Sequence, residues 1–184
     1  IRDLILGREA RDPDIMVVGN EENFVKTFVR HFGGKIVSTS QFSTSRVSVS
    51  EMAFDVAEAR KETYPSPGAL PKIDTATAEQ DLARRDFSIN AMALSIKPNT
   101  WGDLLDPHGG FEDCKNKVLR VLHSTSFRDD PTRIFRAVRF KTRMQLNIES
   151  STKTLLENGF PYLRYVSAAR IHAEIKKMLY EQKK

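Results

Sequence analysis

Cysteine is nearly absent from this 184-residue chain, with Cys114 standing alone. An internal disulfide is therefore excluded. A lone thiol fits a reducing compartment, so a cytoplasmic location is expected. No apolar run approaches the ~20 residues needed to cross a bilayer, and no signal-peptide pattern is present, so no membrane association is expected. His108 and His123 are isolated and lack ligand spacing, which argues against a zinc site. No Gly-rich phosphate loop of the P-loop or dinucleotide type occurs. A start methionine is missing too. The chain opens on Ile1-Arg2-Asp3-Leu4-Ile5-Leu6-Gly7, which reads as the end of a helix stopped by Gly7. It closes on Glu181-Gln182-Lys183-Lys184 without a cap, so both ends read as cuts in something longer.

What is there is ordinary in bulk. Hydrophobic residues make up 40% and charged residues 29%, enough for one large domain or two small ones with a real core. A net charge of +5 suits a polyanionic partner, and basic residues outnumber acidic ones from residue 120 onward.

The most informative stretch is Arg11-Asp12-Pro13-Asp14-Ile15-Met16-Val17-Val18. The run at 15–18 is short, β-branched and closed by Gly19-Asn20, so it reads as a buried strand. Residues two apart on a strand share a face, which aims Asp12 and Asp14 at one point. Two such charges repel, and a hard divalent ion with oxygen ligands, Mg²⁺ above all, relieves them, completed by substrate phosphates. The plainer reading is a solvated Asp-Pro turn.

Asn20 is a good N-cap for a helix carrying Phe24, Val25, Phe28, Val29 and Phe32, ended by Gly33-Gly34. Strands are predicted at 35–38, 45–49 and 52–57. In the last, Asp55 sits between Phe54 and Val56. A carboxylate there is costly unless paired or on a metal, so it is a candidate third acid, or else the exposed side of an edge strand. From 60 to 80 the pattern breaks down, and the proline-rich segment 64–71 reads as a flap over a site or as a linker. The stretch Arg84-Arg85-Asp86-Phe87-Ser88-Ile89-Asn90-Ala91 places Arg85 to meet phosphate and Asp86 to accept ribose hydroxyls. Asn90 supports the sugar or orients Asp86. A charged helix start with ordinary salt bridges is the alternative.

A hairpin is expected from 93–97 and 103–105, and a helical turn at 111–117. A helix opens at Asp130-Pro131, with Asp130 as N-cap and Ile134, Ala137 and Val138 as its buried stripe. Arg133 and Arg136 share a face behind it. Further helices are expected near 149–158 and 167–182.

Taken together, these segments resemble the catalytic head of the bacterial-type (class II) tRNA nucleotidyltransferase and poly(A) polymerase family, over nearly the whole chain. Residues 1–7 are similar to the tail of its Gly-Gly-x-Val-Arg-Asp motif, and Asp12-x-Asp14 to its metal-binding pair. Residues 84–91 resemble its Arg-Arg-Asp-Phe-Thr-Ile-Asn-Ala motif, with Ser88 for Thr. Asp129-Asp130-Pro131-Thr132-Arg133 resembles its Glu-Asp-x-x-Arg motif, with Asp129 for Glu. Asp55 falls where the family carries an acid on a neighbouring strand.

The resemblance implies an α+β fold: a nucleotidyltransferase palm, with a mixed sheet and flanking helices, followed by a helical neck segment. It divides the chain into an N-terminally incomplete head at 1–122 and a C-terminally incomplete neck at 123–184. It implies addition of CMP and/or AMP from CTP and ATP to the tRNA 3′ end, with two Mg²⁺ ions held by Asp12 and Asp14. Arg2 and Arg85 would contact the triphosphate, and Asp86 the ribose. Asp130 and Arg133 would read the base, with Arg136 as a phosphate or stacking contact. Cytosine and adenine both present an amino donor beside a ring-nitrogen acceptor, which a carboxylate beside a guanidinium complements. A poly(A) polymerase with the same head is the nearest rival. A catalytically incomplete RNA-binding fragment is the other, since the Gly-Gly before the first helix and the family's body and tail are not in the sequence.

Overall fold

The computed structural model describes residues 1–9, 13–40 and 43–181. A short helix, Arg2–Ile5 (α1), precedes the first strand, Asp14–Val17 (β1). Asn20 then caps the helix Glu21–Phe32 (α2), its side chain accepting from Asn23 N at 2.8 Å. Gly33 ends α2 in the left-handed conformation (φ 69°), where a Cβ is disfavoured. Three strands follow: Lys35–Ser40 (β2), Thr44–Val49 (β3) and Met52–Glu58 (β4). They form one mixed sheet in the order β1-β4-β3-β2, in which β1 pairs with β4 in parallel and the other pairs are antiparallel. The predicted α+β class is what the chain adopts.

One face of this sheet is filled by Ile15, Val17, Val47, Phe54 and Val56, packed on Phe24, Val25 and Phe28 of α2. Phe28 meets Phe54 edge-on with centroids 5.7 Å apart. Burying each such side chain is worth about 1.5–3 kcal/mol, so the assignment of this face is strongly determined. Strand alternation then sends Asp14, Asp55 and Arg46 to the opposite face.

Where no pattern was expected, between 60 and 80, the chain makes a hairpin. Arg60–Thr63 (β5) pairs antiparallel with Lys72–Thr75 (β6). Both strands are mostly polar because each faces solvent on one side, so no apolar alternation marks them. The connecting 64–71 segment is irregular, as its prolines require, but its tip is tied down. Gly68 N donates to the carbonyls of Arg128 and Asp129, at 3.3 Å each, and Arg170 Nη1 donates to Gly68 O at 2.8 Å. Gly68 adopts φ +70°, and a Cβ there would press on Tyr165 at 3.1 Å, so glycine is needed for the loop to dock.

The rest of the chain is mainly helical. Ala78–Ala83 (α3) opens with a capping box between Thr77 and Gln80. Ala93–Leu94 (β7) and Leu104–Leu105 (β8) form the expected hairpin, followed by Gly110–Lys115 (α4) and Val118–Leu119 (β9). Then come Ser126–Asp129 (α5), Arg133–Met144 (α6), Asn147–Ile148 (β10, parallel to β9), Ser150–Gly159 (α7) and Ala168–Glu181 (α8).

Two details of α6 differ from expectation. It starts at Arg133, not at Pro131, because Asp130 Oδ1 accepts from Thr132 N (3.1 Å) and Thr132 Oγ1 (2.7 Å) and so closes a turn between α5 and α6. Its buried stripe is Ile134, Ala137, Phe140 and Met144, while Val138 is 41% exposed. Val138 lies one residue, about 100° of helix, beyond Ala137 and so leaves the stripe.

The larger core joins Phe87, Ile89, Leu119 and Val121 to Phe127, Ile134, Phe140 and Leu156, across residue 122. The α6 stripe is thus held rigidly against the 84–91 segment.

Candidate active site

On the open sheet face, Asp14 and Asp55 are direct partners in the parallel register of β1 and β4. In the antiparallel register of β3 and β4, Asp55 stands opposite Arg46. Arg46 Nη1 lies 3.0 and 3.1 Å from the two Asp55 oxygens. The two side chains are 45% and 36% exposed, so the pair is worth only about 0–1 kcal/mol and another cation can displace Arg46 cheaply. Asp12 lies outside the described residues. Arg46 was missed from sequence because a basic residue in a polar strand signals nothing until the strand register pairs it with an acid.

The two arginines before Asp86 are organised by a buried neighbour, Asp81, which is 1% exposed. Its Oδ1 accepts from Arg60 N (3.1 Å) and from Arg84 Nε and Nη2 (3.0 and 2.7 Å). Its Oδ2 accepts from Arg85 Nη2 at 3.1 Å. Arg84 Nη1 also donates to Glu62 at 2.9 Å, so Arg84 faces inward. Arg85 stays about one-third exposed and donates to the Asn90 carbonyl at 3.3 Å. Asp81 ties this segment to the start of β5, the strand that continues directly from β4.

Asp86 is buried and fully bonded. Its Oδ1 accepts from Phe87 N and Asn90 Nδ2, both at 2.9 Å, so Asn90 orients it. Its Oδ2 receives Arg136 Nε and Nη2 at 2.7 and 2.6 Å. Burial pushes the Asp86 carboxyl up, but the Arg136 charge and the Asn90 hydrogen bond outweigh it and hold it below the ordinary carboxylate value. A carboxylate has about four acceptor sites, and four internal donors occupy them. A ribose hydroxyl would therefore have to displace one. Arg136, expected to meet phosphate or base, spends both of these nitrogens on Asp86. Arg2 reaches the same cluster: Nη1 donates to Asn90 Oδ1, and its other donors bind Asp3 at 3.0 and 2.9 Å. The Arg2 and Arg136 guanidinium groups each lie 5.3 Å from the centre of the Phe140 ring.

Asp130 and Arg133 are held separately. Arg133 is 5% exposed, donating from Nη1 to Ser126 Oγ (2.6 Å) and from Nη2 to the Arg84 carbonyl (2.7 Å). Asp130 is joined by Arg170, whose Nη2 lies 2.8 Å from Oδ1. Asp129 turns away, accepting from Thr125 Oγ1 at 2.6 Å. Close by, Tyr64 donates to Glu62 at 2.8 Å, and burial together with the Glu62 charge pushes its hydroxyl well above the usual phenol range. Glu62 and Arg170 were not singled out in the sequence because their partners Arg84, Asp130 and Gly68 lie 22 to 102 residues away. Asp81, although close to Arg84 and Arg85 in sequence, also accepts from Arg60 N, 21 residues away.

A four-stranded mixed sheet backed by one helix, with paired carboxylates on its open face and a helical floor rich in held arginines, defines a palm-type head domain. The chain belongs to the poly A polymerase head domain family, whose model matches residues 1–120. It is 40% identical over 185 residues to an A-adding tRNA nucleotidyltransferase of Aquifex aeolicus, covering 100% of this chain and 22% of that protein. Its fold is similar to a CCA-adding enzyme in an apo form, with a TM-score of 0.92 and 42% identity over 97% of this chain and 43% of that one. It is also similar to a tRNA nucleotidyltransferase complexed with a primer tRNA and an incoming ATP analog, with a TM-score of 0.84 and 37% identity over 95% of this chain and 49% of that one. The chain spans less than half the length of each.

Proposed function

We propose that this chain is the catalytic head of an RNA 3′-terminal nucleotidyltransferase that adds CMP and/or AMP, from CTP or ATP, to the 3′ end of tRNA and releases pyrophosphate. The observation that carries the reading is the register that sets Asp14 beside Asp55 on the open face, on a sheet tied through Asp81 to the arginine cluster. The head is assigned to 1–122 and the start of a helical neck to 123–184. The A-adding and CCA-adding relatives support this chemistry and leave the number and kind of nucleotides added to be measured.

The oxygen donors on the sheet face fit a hard divalent ion. Asp14 and Asp55 are adjacent, and among the described residues the half-exposed Arg46 is the cation that compensates Asp55. Among the described residues no three ligating side chains cluster, so Asp12 completes the proposed set, and Mg²⁺, two ions by family resemblance, is assigned to Asp12 and Asp14. Bound there, Mg²⁺ supplies neutralisation of triphosphate charge and a lowered pKa for the attacking RNA 3′-hydroxyl.

The chain's own residues do the rest. Arg85 and Arg2, anchored by Asp81 and Asp3, offer their outer N–H groups to the triphosphate. Asp86, kept ionised and oriented by Asn90 and Arg136, takes a ribose hydroxyl in exchange for one of its four internal donors. Asp130 accepts the amino group of cytosine or adenine while Arg133 donates to the ring nitrogen. Uracil and guanine would set a carbonyl oxygen against Asp130, an unpaired contact costing about 1–3 kcal/mol, roughly tenfold to hundredfold in selection. A poly(A) polymerase with this head differs in the RNA it extends, and so is separated by the acceptor RNA in the assay.

Labelled CTP or ATP, incubated with the chain, Mg²⁺ and tRNA lacking its 3′ end, is expected to be incorporated. Asp12→Ala and Asp14→Asn are each expected to abolish incorporation. Incorporation that survives either substitution, or its absence with the unsubstituted chain, overturns the reading.

A further inference from the structure

We propose that Arg170 is a positioning residue for base choice, fixing which oxygen of Asp130 is offered to the nucleotide. This rests on Asp130 reading the base. Three donors converge on Oδ1: Thr132 N at 3.1 Å, Thr132 Oγ1 at 2.7 Å and Arg170 Nη2 at 2.8 Å. Oδ2 takes no hydrogen bond from any described residue, and the side chain is 20% exposed, so this oxygen is the one left to accept.

The two Thr132 donors come from a neighbouring residue, so they restrain the oxygen but leave the carboxylate some freedom to tilt with the turn. Arg170 comes from α8, 40 residues away, and removes that freedom. It can do so because its own guanidinium is held at a second point. Nη1 donates to Gly68 O at 2.8 Å, and Gly68 is itself bonded through its N–H to the carbonyls of Arg128 and Asp129. Two acceptors, one on each terminal nitrogen, suit the rigid fork of a guanidinium, which an ammonium or amide cannot reproduce.

The consequence is a single acceptor at a set angle. An oxygen fixed in this way meets an exocyclic amino group well and a carbonyl badly. A carboxylate that can swing instead loses the hydrogen bond to the amino group, with little change toward a carbonyl, which it never bonded. Arg170 therefore acts on the difference between nucleotides, without touching either.

The test is binding of ATP, CTP, GTP and UTP to the 184-residue chain with Mg²⁺, measured by titration calorimetry for the unsubstituted protein and for Arg170→Gln, Arg170→Lys, Thr132→Val and Asp130→Ala. Arg170→Gln is expected to weaken ATP and CTP by about tenfold while GTP and UTP change less than about twofold. Arg170→Lys is expected to recover part of the loss. Thr132→Val, which removes another donor from the same oxygen without altering α8, is expected to shift the ratio in the same direction if Arg170→Gln fails to fold. Equal weakening of all four nucleotides by Arg170→Gln, or an unchanged ratio, overturns the positioning role. If Asp130→Ala leaves the ratio unchanged, the base-reading assignment itself fails. If Asp130→Ala abolishes the preference but Arg170→Gln and Thr132→Val keep it, only the role of Arg170 fails.

Discussion

Replacing Arg136 by methionine isolates what the Asp86 pair does for the fold. Methionine keeps an apolar stem against Phe140 but removes the cation bonded to Asp86 Oδ2. Removing one partner of a buried ion pair costs about 3–5 kcal/mol, because the other charge is left without compensation. Here Asp86 is 7% exposed and Arg136 30% exposed, and Oδ1 keeps its bonds from Phe87 N and Asn90 Nδ2. The loss should thus fall at the lower end, about 3 kcal/mol at neutral pH. With a urea slope of about 2 kcal/mol/M, the midpoint drops by about 1.5 M. The pH dependence is more decisive. In the unsubstituted chain the Asp86 pKa is held below its usual 3.8, so the pair's contribution is complete above about pH 4 and is lost only as pH falls through that lowered value. In Arg136→Met, burial, the largest influence, is opposed by the smaller effects of the Asn90 hydrogen bond and the Arg133 charge, so the Asp86 pKa is expected to rise above its unfolded value, and the penalty is relieved as pH falls through it. The two urea midpoints, followed by far-UV circular dichroism at pH 7.5, 6 and 5, should therefore converge on acidification. A gap that stays constant over this range, or a loss below about 1 kcal/mol at pH 7.5, refutes the argument.

Glu149 caps α7, accepting from Ser151 Oγ at 2.6 Å and from Ser151 N and Thr152 N at 3.0 and 2.8 Å, and these bonds, the Ser151 hydroxyl first, draw its pKa down to about 2. Glu149→Ala is expected to cost about 1 kcal/mol at pH 7. That difference should be complete above pH 4.5 and fade as pH falls toward about 2, in paired thermal melts across the range. Cys114 is fully buried, and burial pushes its thiol up to about 11. At pH 8 the thiolate fraction is then about a hundredfold below that of a thiol at its ordinary value of 9.0, and iodoacetamide labelling should be slower by at least that factor than in urea. Equal rates in the two conditions would contradict the buried placement.

The contrast between what was and was not legible in the sequence follows from how far each signal travels along the chain. α2 was readable because Asn20, Gly33 and the phenylalanine spacing lie within one segment, β3 because Thr44, Val47 and Val49 make it rich in β-branched residues, and β4 because Phe54 and Val56 flank Asp55 in a short run between turns. The β5–β6 hairpin was not, since its stability comes from cross-strand bonds and from Asp81, not from any pattern within 60–75. The site divides in the same way. Asp55 was conspicuous as a charge among apolar neighbours, but its pairing with Arg46 exists only in the β3–β4 register. Asp86 and Arg136 were each picked out, yet as separate ligands for a substrate. The fold sets them 2.6 Å apart and makes them partners.

That last difference bears on how the site works. A cluster of bare arginines would repel itself and could not be held rigid before a phosphate arrives. Here Asp81 carries Arg84 and Arg85, Asp86 carries Arg136, and Asp130 carries Arg170. Each acid cancels the repulsion between neighbouring guanidinium groups and fixes their orientation in advance, so little reorganisation would remain for the proposed triphosphate to bind. The acids of the 81–86 and 130 segments are therefore best understood as holding these cations in place, and on the proposed reading an oxygen left over, such as Asp130 Oδ2, is the one offered to the nucleotide.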